Sequence, residues 1–259
     1  MNDIFLNISE IQHFSVGDGD GIRTTIFFKG CNLHCPWCHN PETWSPKPQI
    51  LICRNTGKKI LYGKQMSISE IISSVMEDID FYEESGGGVT LSGGEAMLQA
   101  DGASVLAHEL KERGISVIMD TAGDVSFSAF EKINPYIDRY FFDLKASNSY
   151  DYRKIIGGNF DRIISNMKRL IYLGKRTHIR IPLIPNFNTS DEYIDSMCEL
   201  IGKTGASQVE LLPFHRLGCG KYTALGIDYP YRNCPPLTAD ETAAIASKYK
   251  RYFSVKTEA

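Results

Sequence analysis

No stretch of this 259-residue chain contains the run of about 18 apolar residues that a bilayer-crossing helix needs, so no membrane span is expected. The opening residues, MNDIFLNISEIQ, lack both a basic segment and a long apolar core. A secretory signal is therefore not expected, and a cytoplasmic location is. Neither sign of charge dominates. Against 28 Lys and Arg stand 31 Asp and Glu, a net charge of −3, which argues against a general nucleic-acid or membrane-surface partner. Low-complexity tracts and Ser/Gly linkers are missing too, so nothing divides the chain. Residues 1–259 read as one domain, with a core over about 11–222 and residues 223–259 packing on it as a C-terminal extension; a monomer is expected.

Cysteine is present in an odd number, seven, and unevenly placed. Cys53, Cys198, Cys219 and Cys234 are scattered, whereas Cys31, Cys35 and Cys38 form a C-x3-C-x2-C spacing. In a reducing cytosol such a cluster suggests a metal rather than disulfides. A structural zinc site wants four ligands, usually on two short arms far apart in sequence. His34 or His39 could be a fourth ligand, but no second arm is present. Thiolates also suit iron–sulfur clusters. A 4Fe–4S cube held by three cysteines leaves one iron open, and an open iron is a place for a substrate or cofactor to bind.

Strand patterns alternate with helical ones along the chain. Ile22–Lys29 is rich in β-branched and aromatic residues and reads as a strand, and the proline-bearing stretch 40–65 reads as loop. Ser67 and Glu70 make a capping-box pattern before a helix carrying Ile68, Ile71, Ile72, Val75, Met76 and Ile79. Strands are then expected at Gly88–Ser92, Ser116–Thr121, Arg139–Lys145, Thr177–Ile184 and Gln208–Pro213, and helices at Leu98–Arg113, Ser126–Ile133 and Phe160–Leu173. Thr189 with Glu192, and Thr238 with Glu241, are expected to cap two more helices, ending near Gly202 and Tyr252. About six β-then-α units in series imply an α/β fold with a parallel sheet and right-handed crossovers. A full barrel has eight such units, so a partial (β/α)6 TIM-like barrel is expected.

The unusual residues fall at the C-terminal ends of these strands. The first strand leads to Cys31, the second to Gly93-Gly94-Glu95, the third to Asp120-Thr121 and the fourth to Asp143-Leu144-Lys145; Arg180 lies within the fifth, and His215 follows the sixth. Chemistry in parallel β/α folds gathers at that face, so these loops should converge on one site.

The spacing and its context resemble a known family. DGDGIRTTIFFKGCNLHCPWCHNPETW, GGGVTLSGGEAMLQ, DTAG, FFDLK, RIPLIPNFN and LLPFHRLGCGKY occur in this order between about Ile11 and Tyr222. Together they look like the radical S-adenosylmethionine (SAM) enzymes that activate glycyl radical enzymes. The resemblance implies that Cys31, Cys35 and Cys38 hold three irons of one 4Fe–4S cluster and that SAM chelates the fourth. It implies reductive cleavage of SAM to a 5′-deoxyadenosyl radical, which takes a hydrogen atom from a glycine of a partner enzyme. The protein's part would be positioning and exclusion of water.

The same resemblance assigns the other motifs, each against a plainer reading. Gly93, Gly94 and Glu95 would meet the SAM amino group; alone they read as a tight turn with a surface Glu. Asp120, Thr121 and Asp143 would hold a monovalent cation beside the SAM carboxylate; alone, Asp and Thr there read as helix caps. Lys145, with Leu144 beside it, would direct its ammonium at that carboxylate. Arg180, between Ile179 and Ile181, would lie near SAM or form an ion pair at the barrel mouth. Trp37, His39 and His215 would touch the nucleoside, where an aromatic ring can stack on adenine. Asp18 would contact the partner's glycine-bearing peptide. Many relatives have proline where this chain has Asp20, whose charge is expected to loosen the turn. His13 and His34 read as structural, and Cys198, on one helical face with Ile194, Met197 and Ile201, as a core thiol.

Longer family members carry a cysteine-rich, ferredoxin-like segment after the first motif; here only Cys53 lies between Asn40 and Met66, so a second cluster is not expected. An outside reductant, flavodoxin or ferredoxin, would feed the single cluster. The missing segment favours a pyruvate formate-lyase type partner. An activase of a glycyl radical dehydratase or lyase, a radical SAM enzyme acting on a small molecule or RNA, and a zinc-binding structural module are the alternatives.

Overall fold

The computed structural model describes residues 3–52 and 56–257; Cys53 lies outside them. The strands are β1 (Phe5–Ser15), β2 (Arg23–Phe28), β3 (Gln49–Ile52), β4 (Lys59–Tyr62), β5 (Lys64–Ser67), β6 (Gly88–Gly93), β7 (Ser116–Thr121), β8 (Arg139–Asp143), β9 (Thr177–Leu183), β10 (Gln208–Pro213) and β11 (Ser254–Thr257). The helices are α1 (Ile68–Val75), α2 (Ile79–Ser85), α3 (Ala100–Glu112), α4 (Phe127–Ile133), α5 (Ser149–Asp151), α6 (Phe160–Tyr172), α7 (Asp191–Gly202), α8 (Cys219–Leu225) and α9 (Ala239–Tyr249).

One sheet carries nine strands in the order β11-β10-β9-β8-β7-β6-β2-β1-β5, and β3 with β4 forms a separate hairpin. From β2 through β10 the six main strands pair in parallel. Helices α1 to α7 lie on the crossovers between them, as the series of β-then-α units requires. The sheet stays open, with β5 and β11 as its edges, so the fold is the expected partial barrel.

Strand alternation divides the parallel sheet into two unlike faces. One face carries Ile26, Phe28, Val89, Leu91, Val117, Met119, Tyr140, Phe142, Ile179, Ile181, Val209 and Leu211, all buried in the main core. Burying an aliphatic or aromatic side chain of this kind contributes about 1.5–3 kcal/mol. The opposite face, inside the barrel, carries Arg23, Thr25, Thr90, Ser92, Asp120, Arg139, Asp143, Arg180 and Glu210. Phe27, Ile118, Phe141 and Leu212 share that inner face, so a hydrophobic outer layer holds a largely polar interior in place.

Local signals explain the ends of several elements. Ser67 and Glu70 form the expected capping box at α1, as do Thr238 and Glu241 at α9. The cap of α7 differs from expectation: Ser190, not Thr189, accepts the Tyr193 N–H. The helix expected to carry Met76 and Ile79 ends instead at Val75, and α2 starts afresh at Ile79; further elements also depart from the sequence reading. β1 pairs antiparallel with β2 and with β5; the stretch read as loop holds the β3–β4 hairpin; Cys219–Leu225 is helical; and β11 adds a parallel strand beside β10. Each is short or only half-buried, so its hydrophobic period is weak. Among the described residues no helix is long and apolar enough to cross a membrane.

Candidate active site

The cysteine loop is folded back on itself at the end of β2. Gly30 N–H donates to Thr43 O at 2.7 Å and Cys31 N–H to Trp44 O at 3.2 Å, so the chain returns to its starting point. Gly30, at φ 102°, makes the exit. Within the loop Cys38 N–H donates to Cys35 O at 3.0 Å, and Asn40 N–H points at Cys38 Sγ, 3.4 Å away. Outside it, Ile156 O accepts from His34 N–H at 2.8 Å. All three sulfur-bearing residues line one cavity of about 310 Å3. Burial pushes the Cys31 and Cys35 thiols up to about 12, and that of Cys38 upward as well. The thiols keep their protons until a metal displaces them.

Across the cavity stand the ends of β6, β7 and β8. Gly93 and Gly94 line it, but their lack of a side chain has a packing cause. A Cβ on Gly94 would lie 2.3 Å from Gly30 O, and one on Gly93 2.3 Å from Phe28 N. Glu95 is neither a surface residue nor a wall of the cavity. It is 1% exposed, and its carboxylate accepts from Met97 N–H at 3.1 Å, Thr121 Oγ1 at 2.8 Å and Ala122 N–H at 2.9 Å. Its role here is to brace the β6 turn against the β7 turn. Leu144 is likewise core, meeting the site only through its backbone.

Asp120, Thr121, Asp143 and Lys145 do share the cavity wall. Asp120 Oδ2 accepts from Ser92 Oγ at 2.7 Å, while its Oδ1 is buried without a partner. Burial, reinforced by the charge of Asp143, pushes the Asp120 carboxyl up. Thr121 donates to Glu95 and accepts from Gly123 N–H, so it offers an ion only its remaining lone pair. Lys145 Nζ sits 2.7 Å from Asp143 Oδ2. Burial works against that ammonium, yet the Asp143 carboxylate outweighs it and its pKa rises.

Arg180 does both things expected of it. It lines the cavity, with Nη1 4.0 Å from Asp120 Oδ2, and its Nε pairs with Glu210 Oε2 at 2.6 Å. The guanidinium also lies 3.6 Å over the Phe141 ring. Register explains the pair, because Glu210 is the Cα partner of Arg180 and Asp143 its partner on the other side. From Arg180 the network reaches the floor, where Nη2 donates to Gly17 O at 3.2 Å. On that floor Asp18 Oδ2 accepts from Ser15 Oγ at 2.5 Å and Thr25 Oγ1 at 2.7 Å, and Asp18 O accepts from Thr90 Oγ1 at 2.7 Å. Asp20 does not loosen this loop. Its carboxylate takes a 2.6 Å bond from Arg139 Nη2, which pins the turn to β8.

The aromatic wall unites Trp37, His39 and His215. Trp37 packs against Phe187, with ring centroids 4.7 Å apart, and His39 stacks on His215 at 3.8 Å. Burial, then the neighbouring His215, brings the His39 imidazole down to about 4, so it is neutral at pH 7. Its Nε2 is buried and unpartnered. His13 and His34 lie elsewhere, His13 on Asp78 and His34 against Trp44. Cys198 is core, as its helical face predicts. Sequence reasoning missed Ser92, Trp44, Phe214 and Glu210. Ser92 and Glu210 were legible as inward positions on their strands, two residues from Thr90 and Leu212.

The donor set suits the expected group. Three thiols share one wall; an ammonium, a guanidinium and carboxylates share the others; and the orphaned Asp120 Oδ1 and His39 Nε2 need partners that a polar ligand supplies. Among the described residues no three His, Cys, Asp or Glu side chains form a group able to hold a metal ion by themselves.

Known proteins share this sequence and fold. The model of the Radical SAM superfamily matches residues 25–201. Benzylsuccinate synthase activating enzyme of Thauera aromatica is 34% identical over 295 aligned positions, covering 94% of this chain and 89% of that protein. Pyruvate formate-lyase 2-activating enzyme of Escherichia coli (strain K12) is 34% identical over 265 positions, covering 96% and 91%. A solved radical SAM methyltransferase from Sphaerobacter thermophilus shares the fold, with a TM-score of 0.63 at 12% identity over 97% of this chain and 76% of that one. With the three thiols on one wall of a partial barrel, these matches lead to one conclusion: the chain belongs to the radical SAM superfamily, among the activating enzymes of glycyl radical enzymes.

Proposed function

We propose that this protein installs the radical on a glycyl radical enzyme of the pyruvate formate-lyase type. The observation that carries the reading is the cavity itself, three cysteines facing Lys145, Asp143 and Asp120 across a space floored by Asp18. The partner type rests on length. Aligning the benzylsuccinate synthase activase takes 295 positions to place 94% of this chain, whereas the pyruvate formate-lyase 2 activase needs 265 to place 96%. The former carries inserted length that this chain lacks.

With one 4Fe–4S cluster and SAM bound, the chemistry supplied is one-electron cleavage of the sulfonium C–S bond, followed by hydrogen-atom abstraction from the partner's glycine. The protein's residues prepare that event. Cys31, Cys35 and Cys38 would hold three irons. Lys145 offers its ammonium to the SAM carboxylate, and Asp120, Thr121 and Asp143 supply oxygens for a monovalent cation beside it. Neutral His39, stacked on His215, and Trp37 give flat apolar faces to the nucleoside without adding charge. Gly93 and Gly94 keep the β6 turn tight against Gly30, so the wall opposite the thiols is fixed. Asp18 meets the partner's peptide from the floor. Flavodoxin or ferredoxin supplies the electron.

The test is electron paramagnetic resonance on anaerobically reconstituted, reduced protein, first with SAM, then with candidate glycyl radical enzymes. A cluster signal that changes with SAM and gives way to an organic doublet on pyruvate formate-lyase is the expected result. A doublet appearing only on a dehydratase or a lyase would replace the partner and keep the chemistry. A SAM-sensitive signal with no doublet on any partner would move the target to a small molecule.

A further inference from the structure

Behind the cysteine loop lies a charge arrangement that none of the roles above uses. Glu42 follows Cys38 by four residues, in the turn that brings the loop back to Gly30. Its side chain is 3% exposed. One oxygen, Oε1, lies 2.5 Å from Lys221 Nζ, and the other, Oε2, is buried without a partner. The same ammonium lies 2.5 Å from Asn40 Oδ1. Asn40 is the residue whose backbone N–H points at Cys38 Sγ. Lys29 is also buried here, but its ammonium bonds to the Glu42 backbone carbonyl at 2.6 Å rather than to the carboxylate. Lys221 is therefore the side-chain cation in direct contact with the Glu42 carboxylate.

A buried carboxylate without a counter-charge costs several kcal/mol and projects its field through a low-dielectric interior. The sulfur of Cys38 lies within reach of that field. An iron–sulfur cluster gains a negative charge on reduction, and its potential follows the net charge and the hydrogen bonds around its sulfurs. We propose that Lys221 is a positioning residue that raises the reduction potential of the cluster, by cancelling Glu42 and by fixing Asn40 so that its N–H stays on Cys38 Sγ. It acts from α8, through Glu42 and Asn40. The inference rests on the cluster reading of the three cysteines.

The experiment is a redox titration of the reconstituted full-length protein, followed by electron paramagnetic resonance without SAM or partner, with iron counted in each sample. Wild type must first show the cluster; failure there would sink the cluster reading and leave the variants uninformative about anything else. Lys221→Met is expected to lower the reduced-to-oxidised ratio about tenfold at a fixed donor potential, which is about 59 mV for one electron. Lys221→Arg keeps the wild-type value. Glu42→Gln alone shifts it the opposite way. The double variant Lys221→Met/Glu42→Gln removes both charges and returns most of the loss. If Lys221→Met does not retain iron, the double variant decides. Full iron with a potential near wild type upholds the inference. A double variant as impaired as Lys221→Met, or an iron-replete Lys221→Met with an unchanged potential, overturns it.

Discussion

The loop before β2 and the loop after it leave opposite ends of one strand and meet the same cavity, but they are built differently. In residues 17–21 the polar groups are taken. Gly17 O, Asp18 O and Asp20 O accept from Arg180, Thr90 and Arg23, and Asp20 pairs with Arg139. A Cβ on Gly19 would lie 2.5 Å from Ile118 Cδ1, so the loop is also packed tight. In residues 31–44 the backbone is fixed, but His39 Nε2 and, behind the cavity wall, Glu42 Oε2 are left without partners, and the three thiols are unbridged. A loop with satisfied groups is a floor that holds its shape unaided. A loop with a rigid backbone and unmatched side chains is a receptacle that a ligand completes.

The largest effect expected from this contrast is in the receptacle. Replacing any one of Cys31, Cys35 or Cys38 by Ala should abolish radical formation, read as loss of the organic doublet, with iron content reduced. Cys198→Ala, in the core between α7 and its neighbours, should leave the signal nearly intact. Equal losses in all four would contradict the assignment.

Arg180 lines the cavity and bonds to the loop before β2, so its removal tests the floor and the cavity together. Arg180→Met takes away the partner of Glu210, whose side chain is 4% exposed, as well as the bond to Gly17 O. Breaking a buried pair on one side costs about 3–5 kcal/mol. The low end is expected, because Lys256 Nζ remains 2.9 Å from Glu210 Oε1. Urea unfolding measures it; a change below about 1 kcal/mol would mean the pair does not hold the floor. Smaller again is Gly94→Ala. Its new methyl would meet the backbone oxygen of Gly30, which cannot rotate away, so a loss of about 1–3 kcal/mol and a displaced cysteine loop are expected. Iron affinity should fall with it, while the bonds that hold Asp18 on the floor should not change.

Legibility in the sequence followed the strength of local period and cap chemistry. The parallel strands announced themselves because each buries an unbroken alternate set such as Ile179 and Ile181. β1 did not, because only Leu6 and Ile8 are buried early in it and the pattern then fades. The motifs placed Cys31, Lys145 and His215 at one end of the barrel, since strand ends fix position. They could not separate ligand-facing groups from braces. Glu95 and Leu144 stand in motifs with Gly94 and Lys145, yet one is consumed by Thr121 and two backbone N–H groups and the other by the core. That distinction depends on contacts from distant strands. Lys221 and Glu42 pair across 179 residues, and no spacing rule reaches so far.

The smallest effect tests whether the floor is as self-sufficient as its bonds imply. Asp20 is 72% exposed on its side chain, and its bond from Arg139 holds its carboxyl below the usual carboxylate range. Because the folded pKa is depressed, the stabilisation is present above the unfolded value of about 4 and is lost as pH falls through the lower folded value. Solvent screens so exposed a group, so Asp20→Asn should cost only about 0.5 kcal/mol at pH 7. The difference between wild type and variant should shrink as the pH is lowered through that window, which urea midpoints at several pH values would follow. The consequence for function is sharper than for stability. Releasing Asp20 frees the turn that carries Asp18 while leaving the cavity walls untouched, so the concentration of partner enzyme needed for half-maximal radical formation should rise, with SAM cleavage in the partner's absence unchanged. If both change together, the floor and the receptacle are one unit, and the contrast between the two loops does not extend to their function.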